Sequence, residues 1–369
     1  VIGPDKAALA ADVALAGESD AESPARVGRL ERLPKWLNLI PMVAQWIGLS
    51  IRYGSWALPT AANPHITAGG LVGEGKSEYF RSMGQLASAH TAAFCVFRDS
   101  GKVSDAEKAM TDAGLEYPLI LKPNIGWCGF GVRIVKTQDE LTSYLQAYPA
   151  DEEIILQRFV SYEGEAGIYY IRLPHEARGR ITGILLRFFP RVVGDGHSTI
   201  AELMARNPRA CRLGQNRRSE PWCDISRVPS ASEIVRLSVT GSTRVGGMYE
   251  DATALVTPEM ENAINDIAMD MKDLHVARFD VRYESIGAMR AGHSFNIIEV
   301  NGAGSEAVHA WDPRYTLSEA YRIVFEKQRM LFAIGAAMRK RGHRPISGWA
   351  MAKLFLRQGR LIRRYPPSN

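Results

Sequence analysis

Two carboxylates and an amide fall close together in one part of this 369-residue chain: Asp280, Glu299 and Asn301. The sequence from His275 reads HVARFDVRYESIGAMRAGHSFNIIEVN. Its pattern predicts two strands, 276–283 and 295–300, and the Gly-containing connection makes an antiparallel pair the simplest arrangement. Side chains alternate along a strand, so Arg278, Asp280 and Arg282 share one face. Glu299 and Asn301 share a face of the second strand, with apolar Val300 between them. Such an all-oxygen set suits Mg²⁺, a hard ion often shared with nucleotide phosphates. A strand pair that simply ends in polar residues is the plainer alternative.

Upstream, PLILKPNIGWCGFGVRIV places Lys122 at the end of a buried strand, followed by a loop over 124–131 with Gly126, Gly129 and Gly131. Glycines let backbone N–H groups approach phosphate oxygens, and Lys122 would add a fixed charge. This is no Walker A motif, since no GK[ST] follows. An ordinary hairpin explains the spacing as well, but Trp127 and Phe130 at the tip ask for a purpose. Lys76 stands at the start of a helix predicted over 77–90. A cation there opposes the helix dipole, so a ligand role, for example on a phosphate, stands level with the plain reading of a solvated lysine. The strand predicted over 153–160 runs into SYEGEAGIYYIR, a segment able to edge a nucleotide pocket: backbone groups read an adenine edge and a glutamate accepts ribose hydroxyls.

These residues need elements to hold them. Length suggests two or three domains. At 46% hydrophobic and 23% charged residues the chain can build real cores. Capping boxes open helices at Ser104/Glu107, Thr137/Glu140, Thr199/Glu202 and Thr316/Glu319, and Pro258 opens another. Four cysteines without metal spacing, and no signal-peptide pattern at the start, lead us to expect a cytoplasmic protein. Residues 36–51 carry no charge; a helix from near Pro41 is expected, as a buried core helix, with a membrane or partner face as the alternative. The arginines of 207–227 (Arg209, Arg212, Arg217, Arg218, Arg227) read as a lid, an anion landing site or a solvated loop. The tail from Ser347 reads as a basic amphipathic helix, with Met351, Leu354, Phe355, Leu361 and Ile362 on one face and Lys353, Arg357, Arg360 and Arg364 on the other. It binds a membrane surface or packs on its own domain. Nucleic acid is not expected as a partner, because no aromatic stacking platform accompanies the charge.

The succession of a helix-start lysine, strand-Lys-Pro with a glycine loop, a strand into a hinge, R-x-D and E-x-N resembles the ATP-grasp superfamily. The nearest types are the D-alanine–D-alanine ligases and cyanophycin-synthetase-like ligases; RFFPRVVGDGHSTIAEL resembles the latter. The resemblance spans roughly 76–321 and implies an α+β ATP-grasp fold in which two subdomains, 76–175 and 176–342, clamp ATP. A helical or loop segment, 1–75, precedes them and the tail, 343–369, follows. It implies that Lys76, Lys122 and the glycine loop contact the phosphates. Gln157, Arg158, Phe159 and Val160 would form the adenine hinge, and Glu165 or Glu163 would hold the ribose. Asp280, Glu299 and Asn301 would bind two Mg²⁺ ions, for which Mn²⁺ would also serve. Arg278 and Arg187 would face the transferred phosphate and the reacting carboxylate. Three departures stand out: Gln157 replaces a common Glu, the turn after Asn301 reads GAGSE rather than Pro-Gly, and only about 75 residues precede Lys76.

The expected activity is ATP- and Mg²⁺-dependent ligation of a small-molecule carboxylate to an amine through an acyl phosphate, in a homodimer. A hydroxyl kinase would use the same nucleotide site, and a non-catalytic nucleotide-binding module is a third possibility. The inner membrane surface is an expected location through the tail or residues 36–51.

Overall fold

The computed structural model describes residues 27–98, 102–215 and 218–369. Residues 1–26 of the N-terminal segment, and Arg217, lie outside them. The first sheet contains β1 (Phe94–Arg98), β2 (Leu119–Pro123), β3 (Arg133–Val135) and β4 (Glu153–Arg158), in the order β1-β4-β2-β3. Alternating apolar residues of β2 and β4, among them Leu119, Leu121, Ile154 and Leu156, are buried against the helices Val103–Asp112 and Gln138–Ala147. Each such side chain stabilises the fold by about 1.5–3 kcal/mol through burial.

The second sheet contains β5 (Gly164–Ile171) and β6 (Arg180–Phe188). After a small ribbon of β7 (Arg191–Val193) and β8 (Ile234–Arg236) come β9 (Met248–Asp251), β10 (Val276–Tyr283) and β11 (Phe295–Asn301). Its order is β11-β10-β5-β6-β9, and the named strand pairs in both sheets are antiparallel. The result is the expected mixed α+β architecture. Ala277, Phe279 and Val281 of β10 pack into a core shared with Ile264 and Ile267 of the helix Pro258–Met269. Strand alternation therefore commits Arg278, Asp280 and Arg282 to the other face. The predicted pair forms with Asp280 opposite Glu299 and Arg278 opposite Asn301.

Several local expectations need correction. The 77–90 helix is two short helices, Lys76–Arg81 and Gln85–Ala89, separated where Gly84 N–H donates to Asp270 O at 2.9 Å. The helix Val103–Asp112 starts after Lys102 without a Ser104 cap. Pro41 lies inside the helix Lys35–Tyr53 rather than at its start. That helix is not a buried core helix: Trp36, Ile40, Val43, Ile47 and Ile51 are exposed, while Leu49 and half-buried Trp46 pack on Phe332. Its uncharged run spans two faces, of which only one is covered. The arginine-rich insert is tied down internally: Arg209 and Arg212 bind Glu31 at 2.8 and 2.6 Å, and Arg227 binds Glu233 at 2.7 Å. Arg218 donates to the carbonyl of Ile362. The tail helix Gly348–Arg364 packs Leu361 and Ile362 into the first core, but Phe355 faces outward.

Candidate active site

The two sheets approach each other where Lys122 reaches Ile298. Lys122, at the end of β2, is buried and donates from Nζ to Gln157 Oε1 at 2.7 Å and across the gap to Ile298 O at 3.0 Å. Burial lowers its ammonium pKa to about 8, against the opposing pull of Glu299. Lys76 is the first residue of its helix, held there by a capping interaction in which Gly75 N–H donates to Glu78 Oε1 at 2.9 Å. Its Nζ reaches Glu299 Oε1 at 3.3 Å. It also sits over the glycine loop, since a Cβ on Gly126 would lie 2.8 Å from Lys76 Nζ. Gly129 and Gly131 have φ of +72° and +74°, a conformation that glycine adopts without the strain other residues incur.

Opposite the lysines, Asp280 is clasped by Arg278, with Nε to Oδ1 at 2.7 Å and Nη2 to Oδ2 at 2.8 Å. Arg187 Nη2 lies 3.6 Å from Asp280 Oδ2 and its Nη1 donates to Glu165 Oε1 at 2.5 Å. Asn301 Nδ2 donates to Asp280 Oδ2 at 3.3 Å. Burial alone would raise the Asp280 carboxyl, but Arg278 and Arg187 more than offset it and hold the group below its ordinary value. Arg187 Nε is buried with no hydrogen-bond partner among the described residues. Ion pairs join Asp280, Arg278, Arg187 and Glu165 in one cluster, and the β10–β11 register sets Glu299, the partner of Lys76, opposite Asp280.

The residues expected to hold adenine and ribose divide. Gln157 is buried and its amide, besides accepting from Lys122, donates to Ala92 O at 3.3 Å, so it positions the lysine. Arg158 ends β4, and Phe159 and Val160 follow in irregular backbone. Glu165 is buried within β5 with its second oxygen held by Arg282 Nε at 3.1 Å. Glu163 is 88% exposed and, among the described residues, is paired only with Arg236, at 3.5 Å.

Sequence reasoning missed Glu74, whose carboxyl is raised by burial and by the neighbouring Glu78 and Glu299, with Lys76 pulling the other way. Only its position two residues before Lys76 hinted at a role. It also missed Arg244, which donates to Cys128 O at 3.1 Å and lies with its guanidinium 4.2 Å from the Phe130 ring centroid, bracing the glycine loop. A cavity of about 240 Å³ opens beside Tyr169, lined by Ser305, His309 and Lys327. Burial, with Arg278 nearby, lowers the Lys327 ammonium pKa to about 7.

The donor set Asp280, Glu299 and Asn301 is all oxygen and fits a hard divalent cation. For Asp280 to serve, it would release an oxygen now held by Arg278.

Comparison with known proteins bears on this geometry. Residues 77–178 match the family model of the RimK-like ATP-grasp domain. The chain is 25% identical over 229 residues to a cyanophycin synthetase of Synechocystis sp., covering 56% of this chain and 25% of that protein. It is 29% identical over 106 residues to a glutathione biosynthesis bifunctional protein of Streptococcus mutans, covering 28% of this chain and 13% of that one. The chain thus spans about a quarter or less of these relatives. Among solved structures, a D-alanine–D-alanine ligase of Bacillus anthracis aligns at 15% identity and a TM-score of 0.40, over 73% of this chain and 68% of that one.

Proposed function

We propose that this chain, a member of the ATP-grasp superfamily through its RimK-like domain, is a Mg²⁺- and ATP-dependent ligase that joins a carboxylate to an amine. The observation that carries the reading is the meeting of two lysines from one side with the Asp280–Arg278–Arg187 cluster from the other, bridged by Lys76–Glu299 at 3.3 Å and Lys122–Ile298 O at 3.0 Å. A triphosphate needs cations on its oxygens and carboxylates for its metal, in one cleft.

In this reading 76–175 and 176–342 act as the two halves of the clamp. Lys76, Lys122 and the 126–131 loop hold the phosphates. Phe159 and Val160 offer backbone to the adenine edge, and Glu163, with the freer oxygens, is the better ribose contact than Glu165. Asp280, Glu299 and Asn301 would hold Mg²⁺, which supplies charge neutralisation for the phosphates. Arg278 and Arg187 face the transferred group, the unpartnered Nε of Arg187 being free to donate. A substrate carboxylate oxygen attacks the γ-phosphorus in line, the bond to the ADP oxygen breaks, and ADP leaves with that electron pair. The acyl phosphate then accepts the amine lone pair at its carbonyl carbon; phosphate departs and the amine loses a proton. Arg278 stabilises the oxyanion between these events. The cavity at Ser305, His309 and Lys327 is the natural entrance for a substrate.

The reading is tested by ADP release across pools of carboxylates and amines, with mass spectrometry of products and hydroxylamine as a trap. Hydroxamate formation supports it. ADP release with no trapped acyl group for any active substrate favours the hydroxyl kinase. The arginine insert lends that alternative no support, because Arg209, Arg212 and Arg227 already bind carboxylates of this chain.

A further inference from the structure

Two helices of this chain each cover one face and leave a sticky one bare. In Lys35–Tyr53 the inner face is fixed to the helix Leu317–Lys340: Gln45 donates to Phe325 O at 2.7 Å, and Trp46 meets Phe332 edge-on at 5.0 Å. The outer face repeats Trp36, Ile40, Val43, Ile47 and Ile51 at helical spacing, with Trp36 67% and Ile51 78% exposed. In Gly348–Arg364 the inner face is also fixed, by buried Leu361 and Ile362 and by Gln358 donating to Gly126 O at 3.0 Å. Its outer face combines Trp349, 76% exposed, and Leu356 with Lys353, Arg360 and Arg363. Neither helix can turn its bare apolar residues inward without breaking these contacts.

The helices meet at Trp56. Its backbone oxygen accepts from Trp46 Nε1 at 3.0 Å, and its half-exposed ring lies against Gly348, where a Cβ would come within 2.8 Å of it. Trp56 therefore stands at the junction, against the residue that precedes exposed Trp349. Lys353 Nζ lies 5.5 Å from the Trp349 ring centroid.

We propose that these two helices form a docking surface for an anionic lipid bilayer, on which the protein lies without crossing it. Charge selects this occupant. Lys35–Tyr53 contains no Asp or Glu, and none occurs after Glu326. Lys353, Arg360, Arg363 and Arg364 have no carboxylate partner among the described residues. A second copy seated face to face would bring cations against cations, whereas anionic headgroups attract them. Tryptophan rings at a helix junction suit the boundary between headgroups and acyl chains. No described helix is long and apolar enough to cross a membrane.

The test is flotation of the full chain with vesicles of phosphatidylcholine alone or mixed with phosphatidylglycerol. The wild type is expected to float with the mixed vesicles and to fall away as salt is raised. Lys353→Gln with Arg360→Gln should weaken partitioning by about 25-fold, about fivefold for each cation. Ile40→Glu with Ile47→Glu should abolish flotation while leaving the circular dichroism spectrum unchanged, because both side chains are exposed. Trp349→Ala alone should weaken it measurably. A full-length chain that fails to float, whatever covers the face, overturns the proposal. So does equal flotation with and without phosphatidylglycerol, or a dimer in sedimentation that Ile40→Glu with Ile47→Glu dissolves.

Discussion

Replacing Gln157 with glutamate should move the pH dependence of nucleotide binding upward. Lys122 Nζ lies 2.7 Å from the Gln157 amide oxygen, and burial brings its pKa to about 8. A triphosphate favours the ammonium form, so binding at higher pH must recruit a proton. Each pH unit above that value then costs about 1.4 kcal/mol, a factor of about ten in affinity, until the lysine of the complex itself titrates. At about pH 9 the wild type should bind a non-hydrolysable ATP analogue roughly tenfold more weakly than at neutral pH. A carboxylate in place of the amide oxygen holds the proton on Lys122 in the free protein and raises its pKa by about 1–3 units. In Gln157→Glu the decline should therefore begin roughly one to three units higher. Calorimetry in buffers of different ionisation enthalpy reads the proton directly: close to one taken up per nucleotide by the wild type at about pH 9, and far less by the variant. Equal uptake by the two proteins, or affinity that stays flat for the wild type across this range, would refute the assignment of Lys122 to the phosphates.

Other outcomes follow from the same contacts. Asp280→Ala leaves Arg278 and Arg187 buried without their shared carboxylate; it should cost about 3–5 kcal/mol in urea unfolding and stop ADP release. The Asp280 pKa in the folded protein is depressed, so its stabilisation is complete above the unfolded carboxylate pKa and is lost as pH falls through the folded one; acid unfolding of Asp280→Asn should be less steep in that window. Glu31→Ala strips both Arg209 and Arg212 of their carboxylate, and a loss of about 3–5 kcal/mol is expected in the same measurement. Gly131→Ala forces a Cβ to within 2.7 Å of Pro123 at a φ of +74°; KM for ATP should rise, with a stability loss of about 1–3 kcal/mol. Lys327→Met should raise KM for a carboxylate or amine substrate while leaving ATP-analogue affinity unchanged, read by steady-state kinetics and calorimetry.

Much of the candidate site's geometry was legible because its signals are local. Alternation along Val276–Tyr283 and Phe295–Asn301 was enough to put Asp280 beside Glu299, and Gly129 and Gly131 marked the backbone that needs positive φ. Capping at Thr199 and Thr316 follows from side chains three residues apart. What one-dimensional pattern could not supply was the identity of each charge's partner. Lys122 finds Gln157 and Ile298 O, and Glu31 finds two arginines 178 and 181 residues away, only when separate elements pack. The sequence also could not say which side of an apolar helix is covered. Lys35–Tyr53 has apolar residues on both sides, and only the seating of Trp46 on Phe332 decides that Ile40, Val43 and Ile47 face outward. Residue type and spacing determined which groups could do chemistry; burial and long-range contact decided which of them remain available for it, because desolvation and pairing depend on neighbours that the chain brings from afar.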